Sequence, residues 1–551
     1  MSLFEKHKDI LDGAVKAIHA RTFYAQYPEH PKAYGEDAGA NGMEAYKTLL
    51  GKHYDELESA GSNGQIGDET SPYLNEPLGI TYPSFEIKTL IDNSNAAYNA
   101  WRKVDAEERV GILVESLENI KERFFEIGYA TMHTTGQSFM MSFQASGPHA
   151  NDRALEAISM GYDELTRFPK NVTWEKPMGK ISVTLQKSWY AIPRGIGLVI
   201  GCSTFPIWNS VPGIFADLVT GNSVIVKPHP KVILPIAIVV AEIQKTFKAN
   251  GQDPNTLQLA VDTADKPLAK ELAEHADVKL IDYTGNQEFG DYLETLKDKV
   301  VFTEKTGVNS VILDSLDDLD AAFQNLAFSV SLYSGQMCTA PQNFFIPQSG
   351  ITVGGENVSY DDVVQKLKEN VTGLVNHPKM GAGTLGAIQN ENTVTRVNEA
   401  SKLGVNVILN TNGVENEEFP NARVCSPIIL EVDASKKDIY EKEMFGPIVM
   451  IIKTKDTNDS IAIAKEMAQK HGAISCAAYT TDKGVKQKIG EEMALAYTPV
   501  SFNLVGPIWV NQNAAFSDFH VTGGNPAGNA SFTNPEFIVK RFVWVGHREI
   551  A

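Results

Sequence analysis

Ile196-Gly197-Leu198-Val199-Ile200-Gly201 and, one helical interval later, Ser223-Val224-Ile225-Val226 are short strands with no polar face. A strand that apolar needs cover on both sides, which is the habit of a parallel sheet held between helices. The rhythm continues: residues 232–248 read as a helix, 257–261 as a strand, 267–275 as a helix, 278–283 as a strand and 287–296 as a helix. A second block of the same kind runs from about 308 to 495, with helices at 318–332, 361–370 and 460–471. The fold class is α/β. Upstream, Val110, Leu113, Leu117, Ile120, Phe124 and Ile127 recur at steps of 3 and 4, the mark of one buried helical face over 105–128. A further helix is expected over 152–166, and residues 1–80 read as a helical start followed by irregular chain. Near-alternation of β-branched and polar residues over 180–190 predicts an antiparallel arm, and 538–545 predicts another.

The 551 residues suggest two to four folding units. Lys and Arg total 49 against 68 Asp and Glu, a net charge of −19 that argues against phosphate backbones and anionic membranes as partners. Cys202, Cys338, Cys425 and Cys476 show no CxxC spacing, so neither a disulfide framework nor a zinc site is legible. Free thiols and a charged start without an apolar leader lead us to expect a cytoplasmic protein. The longest apolar run, 232–241, contains Pro235 and falls far short of the ~20 residues that span a bilayer.

Tyr333-Ser334-Gly335-Gln336-Met337-Cys338-Thr339-Ala340-Pro341 is the sharpest chemical signal. A thiol after small, flexible residues can sit where backbone amides converge, which lowers its pKa and makes it a nucleophile. A lone cysteine is more often a small core hydrophobe, so the segment does not decide the matter alone. Glu304 closes the apolar strand Val300-Val301-Phe302-Thr303, surroundings expected to raise its pKa toward general-base work, though a solvent-facing strand-end carboxylate is the plainer reading.

Together with five further motifs these segments resemble the aldehyde dehydrogenase superfamily, in order, from about residue 94 to 540. Residues 196–201 with Phe205-Pro206 resemble its first cofactor strand and turn. Gly221-Asn222-Ser223-Val224-Ile225-Val226-Lys227-Pro228 resembles its GNxVxxKP strand. Thr284-Gly285-Asn286-Gln287-Glu288-Phe289-Gly290 resembles its TGSxxxG helix start, Glu443-Met444-Phe445-Gly446-Pro447 its ExFGP motif, and Trp509-Val510-Asn511 its WVN segment.

The resemblance implies a Rossmann-type cofactor domain, an α/β catalytic domain and a β-arm for oligomerisation. The expected division is an N-terminal extension at 1–80, a cofactor-binding domain at 81–174 and 191–303, a catalytic domain at 304–503, and an arm at 175–190 and 524–551. It implies that Cys338 attacks an aldehyde carbonyl, that hydride leaves to a nicotinamide, and that Glu304 activates water to release the acid from the thioester. Lys227 and Glu443 would hold the two riboses, Phe445 would pack by the nicotinamide, and Gly285 and Asn286 would open the helix facing the pyrophosphate. Homodimers or homotetramers are expected.

Three departures from the family pattern stand out. The oxyanion-donating Asn before Phe-Pro is Thr204 here, whose hydroxyl is a plausible donor; the unbroken match from Phe205 to Pro228 argues against Asn209 as its substitute. Pro230 stands where many NAD-preferring members carry a ribose-binding acid, so NADP is permitted, with Lys231 adjacent and NAD still possible. Glu304 is followed by Lys305-Thr306-Gly307 rather than Leu-Gly-Gly. With the N-terminal extension and the tail His520-Val521-Thr522-Gly523-Gly524-Asn525-Pro526-Ala527-Gly528-Asn529-Ala530, this resembles the phenylacetate-degradation branch, PaaN. That implies a CoA-linked semialdehyde left by ring opening as substrate.

Two other readings stay open: a dehydrogenase that passes the acyl group to coenzyme A, against which Glu304 argues, and a weakly active binding protein on the same fold. His149, His229 and His520 are scattered without ligand spacing, so no metal is assigned; Trp101 and Trp174 read as packing residues, and Cys202, close in sequence to Thr204, reads either as a residue lining the site or, more simply, as a buried structural thiol.

Overall fold

The computed structural model describes residues 1–551 except 513, 514, 517–519, 521 and 522. Val521 and Thr522 of the tail quoted above therefore lie outside the described residues. Two parallel-stranded sheets organise the chain.

The first sheet contains β1 (Ile196–Ile200), β2 (Ser223–Lys227), β3 (Leu257–Leu259), β4 (Val278–Thr284) and β5 (Val300–Glu304). Their order is β5-β4-β1-β2-β3, and every neighbouring pair is parallel. Each residue of β1 and β2 is buried, as their unbroken apolar runs require. The second sheet contains β6 (Ser310–Leu313), β7 (Asn343–Pro347), β8 (Asn406–Leu409), β9 (Ile428–Asp433), β10 (Ile448–Thr454), β11 (Cys476–Tyr479) and β12 (Val500–Phe502), in the order β8-β9-β10-β7-β6-β11-β12. Only the edge strand β8 runs antiparallel to its neighbour.

The single helix expected over 105–128 is two helices, Ala106–Lys121 and Phe124–Thr135, broken at Glu122 and Arg123. The guanidinium of Arg123 turns into a cage of Glu56, Glu126 and Glu242 there, with contacts of 2.7 Å to each. The chain before residue 80 is also more ordered than its turn residues suggest. Leu3–Ala20 is a helix closed by a Ser2–Glu5 capping box, and Ala38–Leu49 is a second. Leu11, Tyr27, Tyr46 and Tyr54 from this region join the core beside the first sheet. Its Glu69 is buried and accepts from the backbone N–H groups of Ile233 and, at 3.0 Å, Leu234. That carboxylate caps helix Leu234–Ala249, whose own N-cap side chain makes no capping bond.

The arm is a three-stranded antiparallel sheet of Asn171–Met178, Ile181–Pro193 and Phe542–Ile550. Trp174 lies on it, 37% exposed, with the Lys187 ammonium 4.0 Å from its ring centre; it is not a core packing residue. Trp101 is, and its indole N–H donates to Leu218 O at 2.9 Å. Among the described residues no helix is long and apolar enough to cross a membrane.

Candidate active site

The carboxyl edge of the first sheet gathers the residues singled out in the sequence. Thr204 follows β1, Lys227 ends β2, Gly285 and Asn286 follow β4, and Glu304 ends β5. Open α/β sheets bind ligands at this edge, where the strand order reverses, here between β1 and β4. A cavity of about 240 Å³ lies there, and seven of the nine predicted site residues line it: Thr204, Gly285, Asn286, Glu304, Cys338, Glu443 and Phe445. Lys227 and Pro230 stand outside it, on the adjacent strand and turn. Cys202 also lines this cavity, the first of its two readings from the sequence, and burial raises its thiol pKa.

A strained turn presents Cys338. Tyr333, Ser334 and Gly335 are successive left-handed residues, with φ of 52°, 49° and 62°. Side-chain bonds hold the two non-glycine members: Tyr333 Oη donates to Thr135 O at 2.7 Å and Ser334 Oγ to Leu385 O at 2.9 Å. Asn309, which sequence inspection missed, clamps the far side. Its Nδ2 donates to Cys338 O at 2.7 Å and Ala340 O at 3.0 Å, while its Oδ1 accepts from Ile474 and Ser475 N–H.

Electrostatically the pair is the reverse of the sequence expectation. Burial, and then the Glu304 carboxylate, push the Cys338 thiol well above its ordinary 9.0, so amide convergence does not make it a resting thiolate. Burial also pushes Glu304 upward, but His520 and Arg153 outweigh it and hold the carboxyl below its usual 4.5. The Glu304 correction follows from a neighbour far away in sequence. His520 Nε2 lies 2.8 Å from Glu304 Oε1 and 3.9 Å from Cys338 Sγ. The tail brings it there: Lys305 N donates to Ala527 O, Thr303 N to Asn529 Oδ1 at 2.8 Å, and Asn529 N to Thr303 O. Only the tail's position in the quoted motif hinted at this role. The ligating atoms of Glu304, Cys338 and His520 all lie within 4.8 Å of one another, which by residue type alone is room for an ion; the Glu304–His520 hydrogen bond already occupies two of them.

Lys305, the departure after Glu304, is itself buried and bridges Asp291 and Glu294, each at 2.9 Å. Lys227 pairs at 2.7 Å with buried Asp262, whose Oδ1 has no hydrogen-bond partner among the described residues. An acid thus stands beside Lys227 although Pro230 occupies the position where the sequence resemblance places one. Glu443 is pushed up to about 8 by burial, against the Gly307 N–H it accepts from and the charge of Arg396. Arg396 donates to Phe445 O at 2.6 Å and ties that loop down.

On its other side Cys338 opens into a cavity of about 850 Å³ walled by Met140, Met141, Phe205, Trp208, Phe328 and Trp509. Thr204 Oγ1 lies 3.8 Å from Cys202 Sγ, and its carbonyl accepts from Gln137 Nε2 at 2.7 Å. Asn209, set aside in the sequence reading, lines both cavities and donates to Cys202 Sγ at 3.6 Å.

A model of the aldehyde dehydrogenase family matches residues 68–528. The chain belongs to the aldehyde dehydrogenase family. Among aldehyde dehydrogenases of known structure, it is similar to an NAD-dependent aldehyde dehydrogenase from Burkholderia multivorans. That crystal structure shares 43% identity and a TM-score of 0.97 over 100% of this chain and 99% of the other. Thermus thermophilus 1-pyrroline-5-carboxylate dehydrogenase, in its R100A form, shares the fold at a TM-score of 0.75 and 18% identity, over 96% and 99% of the two chains. By sequence the chain is 24% identical to the Bacillus subtilis alpha-ketoglutaric semialdehyde dehydrogenase over 74% of its own length and 80% of that protein's. It is 23% identical to the NADP(+) succinate-semialdehyde dehydrogenase of Deinococcus radiodurans over 80% and 86%.

Proposed function

We propose that the protein oxidises an aldehyde to its carboxylate with NADP or NAD. The observation that carries this reading is the position of Cys338, at the junction of an apolar cavity and a polar one, with Glu304 beside it. The donor set of the polar side fits a dinucleotide. Lys227 with Asp262 would meet one ribose's hydroxyls, the partly buried carboxyl of Glu443 the other's, Phe445 the nicotinamide face, and the backbone at Gly285 and Asn286 the pyrophosphate. When bound, the dinucleotide supplies the hydride acceptor.

The chain's own groups do the rest. The Cys338 thiol gives its proton to the Glu304 carboxylate, which passes it to solvent, and the sulfur adds to the aldehyde carbon; the new oxyanion is met by the Thr204 hydroxyl and the Cys338 backbone N–H. Once hydride has left, a thioester remains on Cys338. Glu304, held ionised by its neighbours, takes a proton from water, the hydroxide adds, and the C–S bond breaks to release the acid.

For the substrate, the CoA-linked semialdehyde of phenylacetate degradation is the reading favoured by the Glu304-Lys305-Thr306-Gly307 segment and the glycine-rich tail. The breadth of the apolar cavity supports a bulky acyl chain. A homo-oligomer is supported by the exposed apolar residues of the arm, among them Ile181, Trp189, Val543 and Val545, and a cytoplasmic site by the free cysteines. A steady-state screen of aldehydes against both dinucleotides, with and without coenzyme A and with Cys338→Ala as control, tests the proposal. Turnover that survives in the alanine variant would overturn the covalent route, and a requirement for coenzyme A would overturn the hydrolytic one.

A further inference from the structure

His520 belongs to none of the seven motifs, yet it touches both groups that must exchange a proton. One nitrogen makes both contacts: Nε2 is 2.8 Å from Glu304 Oε1 and 3.9 Å from Cys338 Sγ. Nδ1 is buried and has no hydrogen-bond partner among the described residues. In a Ser-His-Asp arrangement the second ring nitrogen is anchored by a carboxylate and the imidazole acts as a base. Among the described residues no such anchor meets Nδ1, and the ring faces two acceptors with the same edge.

Packing fixes the ring's place without fixing its choice of acceptor. The Trp208 ring lies 4.6 Å away at 75°, and the Arg153 guanidinium sits 3.6 Å from the centre of that indole. The charged and titratable groups around the site include Glu304 at the end of β5, Cys338 on its turn and Arg153 against Trp208, with Glu156 and Asp282 sharing one cavity with His520, Glu29, His149 and Lys379 sharing the other, and Cys202 and Glu443 acting on the thiol.

We propose that His520 Nε2–H is a switching hydrogen-bond donor that follows negative charge between Glu304 and Cys338. In the resting site the charge is on Glu304 and the N–H points there. When the S–H bond breaks, its proton goes to the Glu304 carboxylate and the electron pair stays on sulfur. The N–H then turns to the thiolate, which would otherwise be an unpaired anion in a buried site. Sulfur next forms the C–S bond while the carbonyl π pair moves to oxygen. After Glu304 has lost its proton to solvent, the N–H returns to it and aims it at water for hydrolysis. His520 is thus a positioning residue for the base and a donor to the nucleophile. The proposal rests on the covalent reading above, but its test does not require turnover.

The test is the rate of Cys338 alkylation by iodoacetamide in the full-length, cofactor-free protein from pH 6 to 10, followed by mass spectrometry. His520→Leu removes the donor, and the rate at pH 8 is expected to fall ~10-fold with its rise displaced upward by about one pH unit. His520→Gln keeps an N–H and is expected to recover most of the rate; its thermal midpoint should match that of the leucine variant. His520→Met serves as the donor-less variant if the leucine chain does not fold. A donor-less variant within twofold of wild type at every pH overturns the proposal. So does a glutamine variant no faster than the donor-less one, because packing and not the N–H would then explain the loss. Absence of aldehyde oxidation by wild type would defeat the proposed function while leaving this result readable.

Discussion

Gly335 backs onto Gly446 so closely that a Cβ on it would lie 2.4 Å from the Gly446 carbonyl oxygen. The contact joins the turn that presents Cys338 to the loop that carries Glu443 and Phe445, and Gly335 itself has φ of 62°. Gly335→Ala therefore meets both a backbone clash and an unfavourable left-handed conformation. Aldehyde oxidation is expected to fall at least ~100-fold, since misplacing a reacting group by about 1 Å costs that much. Retention of more than a tenth of the wild-type kcat/KM would contradict this coupling.

Asp262 carries a carboxylate beside Lys227, which the proposed function places at a ribose of the dinucleotide. Asp262→Asn keeps the shape and removes the charge. The ratio of NAD to NADP affinity, measured by quenching of intrinsic fluorescence on titration, should move at least ~10-fold toward NADP. An unchanged ratio would show that the acid acts on Lys227 alone.

Arg541 is fully buried and gives two hydrogen bonds to Asp282, at 2.7 and 2.6 Å, and one to Asp217 at 2.7 Å. It is the clasp between the C-terminal strand and the first sheet. Arg541→Ala strands two buried carboxylates, a loss of about 3–5 kcal/mol for such pairs. Differential scanning calorimetry should show a clearly lower unfolding temperature; an unaltered thermogram would mean that the cluster relaxes at no cost.

The proposed function gives the oxyanion to Thr204 rather than to Asn209. With Thr204→Val, kcat should drop by about 10²–10³ while KM stays near wild type, as for loss of a donor used only in the transition state. Asn209→Ala should cost less than about tenfold, for want of a donor role in the transition state. The opposite ranking would transfer the role to Asn209, which lines both cavities next to Cys338.

Thiol reactivity supplies a pH test. Because burial and Glu304 hold the Cys338 thiol above its ordinary 9.0, the thiolate fraction at neutral pH is small and increases with pH. Alkylation of the cofactor-free protein should climb ~10-fold per unit from pH 7 to 8 and show no plateau below pH 9. A rate already flat at pH 7 would mean a preformed thiolate and would contradict the burial argument.

Local pattern carried much of this molecule. The strands 196–200, 223–227, 278–284 and 300–304 are readable because full burial of a parallel strand demands an apolar run, and the helices flanking them follow from their periodicity. Of the seven predicted site residues that share one cavity, Thr204, Gly285, Asn286 and Glu304 follow strands of the first sheet along its carboxyl edge, whereas Cys338, Glu443 and Phe445 come from loops that precede strands of the second sheet. The break at Arg123 was not readable: the carboxylates that draw it out are Glu56, Glu126 and Glu242, two of them remote in the chain.

Residue order thus determined the sheet, its ligand edge, the thiol and the carboxylate, since each depends on neighbours within a few positions. Tertiary structure alone decided the charge balance at that edge. His520 reaches Glu304 across 216 positions, Asp262 reaches Lys227 from another strand end, and both reverse what the local segments imply. The physical reason is that a pKa is set by burial and by charges a few ångströms away in space, and the chain's linear order does not record those distances.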